Sequence, residues 1–202
     1  VGTAVGEMSA AHPSVRISLR AEPWRQVAEA VQAGEVDVAV VELSPLEEAT
    51  GLTCEPLPRH PAAFVCRPGH PLLANRKPDL QQVFRYPFAG PRLPPRVGGL
   101  LQSAAPELRL DPATGDLVPP LHVESIALPL RIVAAGNAVA ALPLVLVEGE
   151  LAAGRLAALP WRPAWLHTNY GFVYRRDRSL SPAAVAFMGI VRRIENRVAG
   201  GP

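Results

Sequence analysis

An α/β fold of two Rossmann-like lobes is predicted for this chain, and three observations predict it. Residues 15–41 (VRISLRAEPWRQVAEAVQAGEVDVAVV) run from a short apolar strand through an amphipathic helix to a second apolar strand, and residues 121–143 (LHVESIALPLRIVAAGNAVAALP) repeat the design. A strand–helix–strand unit of about thirty residues is the minimal parallel crossover. Two such units about a hundred residues apart point to two lobes rather than one continuous sheet. The composition, 49% hydrophobic and 19% charged, supplies a sizeable core and excludes a disordered chain.

The elements follow in order. Residues 1–11 read as a helix that Gly2 and Gly6 weaken, ending before His12-Pro13, where proline turns the preceding residue away from helix. Val15, Ile17 and Leu19 alternate with Arg16, Ser18 and Arg20, the period of a half-buried strand. Trp24, Val27, Ala28 and Val31 share one helix face, and Gly34 stands just past its end. Residues 36–41 form a near-continuous apolar run, as expected of a parallel strand covered on both faces. Residues 52–57 and 62–66 are strands, and 67–78 are loop. Asp79 caps a short helix through Val83, and residues 88–90 are a brief strand. Prolines make 91–95 irregular, residues 97–104 are helical, and 106–120 are loop around a short strand. Ser125 caps a helix over 126–135, which Gly136 ends, and 138–142 form the next strand. Residues 156–159 and 166–174 are strands. Ser181-Pro182 opens the last helix, whose buried face carries Phe187, Met188, Val191 and Ile194.

Several function classes are excluded on residues alone. The net charge of +2 is too small for a nucleic-acid surface, and the basic residues, nearly all Arg, are dispersed. No apolar run approaches the roughly 18 residues of a membrane span, and no secretory signal is present. Cys54 and Cys66 lack CxxC spacing and read as two buried reduced thiols, with a redox switch as the lesser reading. The five His show no pair at metal-ligand spacing, so no metal and no cofactor is expected. G-x-S-x-G, G-x-G-x-x-G and G-x-x-x-x-G-K are all missing, and His122 with Glu124 on one strand face does not make a catalytic system; no enzyme is expected.

HPSVRISLR, AGEVDVAVV, GLTCEPLPRHPAAFVCRPGHPLL and HVESIALPLRIVAAGNAVAALP, in this order, resemble the effector-binding domain of LysR-type transcriptional regulators, through nearly the whole chain. Their order, together with the GHPL turn and the spacing of Ser125, Gly136 and Pro143, carries the likeness. The resemblance implies a fold similar to type 2 periplasmic binding proteins: lobe I from residues 1–69 and 169–202, lobe II from 70–168, crossovers near 67–71 and 165–169, and a ligand cleft between. It also implies a strand ahead of Val1, inside the first sheet, which this sequence does not supply. The family's winged helix-turn-helix is absent too, so contact with DNA would be made only through such an amino-terminal segment.

On this resemblance the ligand site is expected at Pro23 and Trp24, at Arg92, Leu93 and Pro94, at Glu124 and Ser125, and at Gly136 and Asn137. Pro23 and Trp24 replace small hydroxyl residues and give a larger, flatter wall. Asn137 replaces an apolar residue and adds a polar contact. The physical reading supports two of these places independently. Ser125 precedes free amides at a helix start, where an anion is stabilised, and an indole at Trp24 stacks on a ring. Against these stand a plain helix cap at Ser125, core packing at Trp24, and a solvated Arg92 and Arg96. The expected function is a cytoplasmic effector sensor for a small molecule, a carboxylate or an aromatic, acting as a homodimer or tetramer with no membrane partner. The helix of residues 1–11, rich in small residues, is expected in the dimer contact with the helix of 126–135 or 97–104. A periplasmic solute-binding protein is the alternative of the same fold.

Overall fold

Helix α1 (Gly2–Ala11) turns Ala4 and Met8 inward, and α2 (Trp24–Gln32) turns in Ala28, Ala30 and Val31. The strands β1 (Ala39–Glu42), β2 (Leu52–Pro56) and β3 (Ala62–Cys66) follow. Next come α3 (Leu80–Val83), β4 (Ala89–Gly90), α4 (Pro95–Ala104), β5 (Arg109–Leu110), β6 (Leu117–Val118) and β7 (Leu121–His122). Then α5 (Ala127–Ala135), β8 (Ala140–Pro143), α6 (Leu144–Ala152), β9 (Ala157–Ala158), β10 (Tyr170–Arg175) and α7 (Pro182–Gly200) complete the chain. This is a computed structural model, and it describes residues 1–46, 49–125 and 127–200. The chain divides into two compact units, Val1–Arg59 with Asn169–Pro202, and His60–Thr168. The first passage therefore falls at Arg59–His60, ten residues before the expected one, because β3 pairs only within the second unit.

In the first unit β10 lies between β1 and β2, antiparallel to both, so among the described residues β1 is not paired in parallel as expected of its apolar run: such a run reports burial and not strand direction. Gly171 of β10 is required there. A Cβ at that position would press into the Glu55 carbonyl and Leu43 Cδ1. The stripe on α2 that the sequence predicts packs Trp24, Val27, Ala28 and Val31 against Ala39, Val41, Leu52 and Val173. A second cluster joins α1 to α7 through Ala4, Met8, Met188 and Val191, together with Phe172 of β10. The Glu7 carboxylate accepts from Arg193 across that contact.

The expected strand at 15–20 is not formed. The segment joins no ladder among the described residues, and Ile17 and Leu19 are 38% and 60% exposed. Period-two alternation assigns faces, but a strand persists only where its amides find a partner.

In the second unit β3 lies between β8 and β9. Beside them β4 is parallel to β7, and Phe88 just before it bridges Val139 in parallel. The core holds Phe64, Val83, Phe88, Val97, Leu101, Leu117, Val139 and Leu159. Trp161 stacks on Phe64 at 5.9 Å, and Phe84 meets Phe64 and Phe88 edge-on. Asp79 caps α3 through a full capping box with Gln82, as expected of that residue. Helix α4 starts two residues earlier than its expected start at 97, with Pro95 in its first turn, a position where proline costs no hydrogen bond. Gly98 within it is a close approach: a Cβ there would crowd Leu117 at 3.1 Å.

Helix α6 was not anticipated. Its sequence LVLVEGELA shows no polar face to set a helical period, and only Pro143 ahead of it marks a start.

Candidate functional site

Strands β4 and β7 are parallel, in the register Ala89↔Leu121 and Gly90↔His122, and the Val123 amide donates to the Gly90 carbonyl at 3.0 Å. Their carboxyl ends therefore lie side by side in the second unit. From β4 the chain leaves through Pro91, Arg92, Leu93 and Pro94 into α4. From β7 it leaves through Val123, Glu124 and Ser125 toward α5. Strand ends of this kind, feeding helix starts, are where open α/β sheets bind ligands. This is the candidate site of the second unit.

Each side chain there is held in an identifiable way. Leu93 exchanges backbone bonds with Leu117, 3.0 and 2.9 Å, which fixes the loop, and Pro94 is buried. Arg92 Nη1 donates to Asp111 Oδ2 at 2.6 Å. That guanidinium, with the Ala113 amide, holds the Asp111 carboxyl below the usual carboxylate range. Arg96 Nη2 donates to the His167 carbonyl at 2.7 Å, so Arg96 serves the backbone and is not simply a solvated cation. The His122 ring donates to Glu124 Oε1 at 2.6 Å, which ties up the acid beside Ser125. The Ser125 hydroxyl oxygen accepts from the Ala127 amide at 3.3 Å. That bond is long for a cap, and it leaves the hydroxyl proton available. The expected helix start at Ile126 lies outside the described residues.

Gly136 and Asn137 are not brought to this place. They follow the carboxyl end of α5, and nine helical residues separate the two ends by about 13 Å. They stand instead at the amino end of the strand that carries Val139. The Asn137 side-chain oxygen is engaged there: Arg67 Nε and Nη2 both donate to its Oδ1, at 3.2 and 2.9 Å. Buried His70 accepts from the Leu72 amide through Nδ1, so its Nε2–H is the donor to the Asn137 carbonyl at 3.2 Å. The GHPL turn thus has a structural task, as a clamp on this corner. Cys66 nearby has its thiol pushed up to about 11 by burial, which suits the reading of an inert thiol.

In the first unit Pro23 is the residue before α2 and Trp24 its first, and Trp24 is half-buried. Its apolar edge joins the cluster with Val31 and Val41, while the Arg25 guanidinium lies 3.9 Å from its ring centroid. The core-packing reading of Trp24 therefore holds for part of the ring.

Three polar features escaped the sequence reading. Asp111 carries no motif that would connect it to Arg92 nineteen residues earlier. Glu42 is buried at the end of β1 and accepts from Ser44 Oγ at 2.7 Å. Its place at the end of an apolar run, before Ser44-Pro45, was the available signal. His60 and Thr168, both buried, exchange bonds where the second unit begins and ends: the His60 amide donates to Thr168 Oγ1, and the Thr168 amide to the His60 carbonyl, each at 2.9 Å. Among the described residues no group of three potential metal ligands is found, and no helix is long and apolar enough to cross a membrane.

The profile described as LysR substrate binding domain matches residues 1–194. The chain belongs to the LysR substrate binding domain family. A curated relative, the SDS degradation transcriptional activation protein of Pseudomonas sp. (strain ATCC 19151), is 33% identical over 198 residues, covering 95% of this chain and 61% of that protein. The chain thus spans about three fifths of that relative's length. Among solved structures, the regulatory domain of CcmR from Synechocystis PCC6803, in complex with 2-PG, is similar with a TM-score of 0.74 at 17% identity, over 97% of this chain and 91% of that one. The regulatory domain of MetR from N. meningitidis is similar with a TM-score of 0.73 at 19% identity, over 95% and 85%. The LysR domain has the fold of type 2 periplasmic binding proteins, and the family match sets it among effector-sensing regulatory domains, not transport proteins.

Proposed function

We propose that this LysR domain senses a small organic acid, or an aromatic ligand bearing one, at the paired strand ends of its second unit. The observation that carries this reading is the side-by-side ending of β4 and β7, which puts an arginine and a hydroxyl after adjacent parallel strands. Arg92 supplies a cation and Ser125 a hydroxyl proton. The output is transcriptional: an amino-terminal winged helix-turn-helix contacts DNA, and the ligand acts by favouring one arrangement of the assembly over another. The setting is the cytoplasm. The assembly is a homodimer or tetramer using α1, whose Gly2, Gly6, Ser9 and Ala10 are exposed, while Ala4 is already buried against α7.

Calorimetry with a panel of carboxylates on wild type and Ser125→Ala tests the reading. A hydroxyl bonded to the ligand makes the variant bind about 1–2 kcal/mol more weakly. Equal affinities, with only a lower melting temperature, would leave Ser125 as a cap and remove it from the site.

A further inference from the structure

Building on that reading of the strand-end site, we infer that Asp111 is a positioning residue for Arg92, holding its guanidinium so that the Nε–Nη2 edge receives a carboxylate in a two-pronged fashion. The β5–β6 hairpin makes this holder rigid. Its turn runs from Asp111 to Asp116, closed by the Asp111 amide on the Asp116 carbonyl at 2.8 Å. The Asp111 carbonyl accepts from the Gly115 amide at 2.8 Å. Both oxygens of the side chain are used: Oδ1 accepts from the Ala113 amide at 2.9 Å, and Oδ2 from Arg92 Nη1. The other end of the pair is fixed as well, since Leu93, beside Arg92, is paired on both sides with Leu117 of the same hairpin.

Asp111 thus meets Arg92 through Nη1 alone. A guanidinium has five N–H donors in one plane, and a carboxylate takes two parallel ones. With Nη1 committed, the edge formed by Nε and Nη2 remains. No other hydrogen bond from Arg92 to protein occurs among the described residues, and its side chain is 35% exposed. The arrangement selects planar monoanions over neutral amides of the same shape. It also makes Arg92→Lys a poor replacement, because an ammonium offers no paired edge.

A simpler role for Asp111 is competition, in which it neutralises Arg92 and is displaced by the ligand. Benzoate and benzamide, a carboxylate and its neutral counterpart, separate the two roles by calorimetry. A positioning Asp111 predicts that Asp111→Asn, which keeps an oxygen for Nη1, retains the benzoate-over-benzamide preference at or above the wild-type value. Asp111→Ala then lowers that preference by about tenfold. A merely structural role moves both ligands together and leaves the ratio alone, which would overturn the inference. An Ala variant with a raised preference would establish competition and overturn it too. In parallel, the Arg92 Nε–H resonance is followed by NMR during benzoate addition. A saturable shift is expected; no shift overturns the inference. If the Val123 and Ser125 amides shift while Arg92 does not, the strand-end site survives without this residue. If none of them moves, the proposed site falls as well.

Discussion

The two strand–helix–strand stretches of this chain share one apolar rhythm but not one fate. In residues 121–143, β7 and the strand through Val139 flank β4, with parallel bonds on both of its sides, and α5 connects them. In residues 15–41, α2 and β1 form, but the segment 15–20 stays outside every ladder among the described residues. The difference teaches that a crossover depends on the strand between its arms. The second stretch has β4; the first shows no equivalent in the described chain. Its helix forms regardless, because α2 satisfies its own amides and needs only an apolar surface to pack on.

The comparison can be broken by mutation. The largest expected effect lies in the sheet that β1 does join. Gly171→Ala places a methyl group against the Glu55 carbonyl and Leu43, where backbone cannot give way. It is expected to cost at least about 3 kcal/mol in urea denaturation. Near wild-type stability would mean that β10 and β2 are held less tightly than this register implies. Next is Leu142→Ala in β8, a buried residue of the second crossover, for which a loss of about 2–5 kcal/mol is expected.

A smaller effect comes from acid. The Tyr174 hydroxyl donates to Glu55, and with Arg192 it holds the Glu55 carboxyl below its usual range against the opposing effect of burial. A depressed acid stabilises the fold at pH values above its unfolded pKa and loses that contribution as pH falls through the folded one. Glu55→Gln should therefore lower the melting temperature at neutral pH and close the gap to wild type in acid. A gap independent of pH would assign the loss to packing. The smallest effect is the sharpest test of the comparison: Leu19→Ser in the unpaired first arm should change stability by no more than about 0.5 kcal/mol in the 202-residue chain. A loss comparable to that of Leu142→Ala would show that residues 15–20 are paired after all.

What the sequence made legible follows from the range of each force. The α2 stripe, the Asp79 cap of α3, the Ser181-Pro182 start of α7 and the β3 run are local signals, and each is found where it was read. Helix α6 was missed because its apolar residues define no face. The arm at 15–20 was over-read because alternation cannot reveal a missing neighbour. Of the candidate site, Arg92, Leu93, Pro94, Glu124 and Ser125 are gathered at adjoining strand ends. Gly136 and Asn137 are separated from them by the length of a helix, which spacing in sequence does not disclose. Asp111 escaped because a salt bridge between a loop and a hairpin turn leaves no periodic trace.

Helix α5 is held very differently at its two ends. Behind it, Arg67 and His70 grip Asn137 with three N–H donors, and the other nitrogen of the His70 ring accepts from the Leu72 amide. Ahead of it, the Ser125 hydroxyl oxygen accepts one long bond among the described residues. Mechanically this is a beam with one built-in end, and a load applied at the free tip is borne at the root. A ligand that tightens the Ser125 end would therefore be registered at the Asn137 corner.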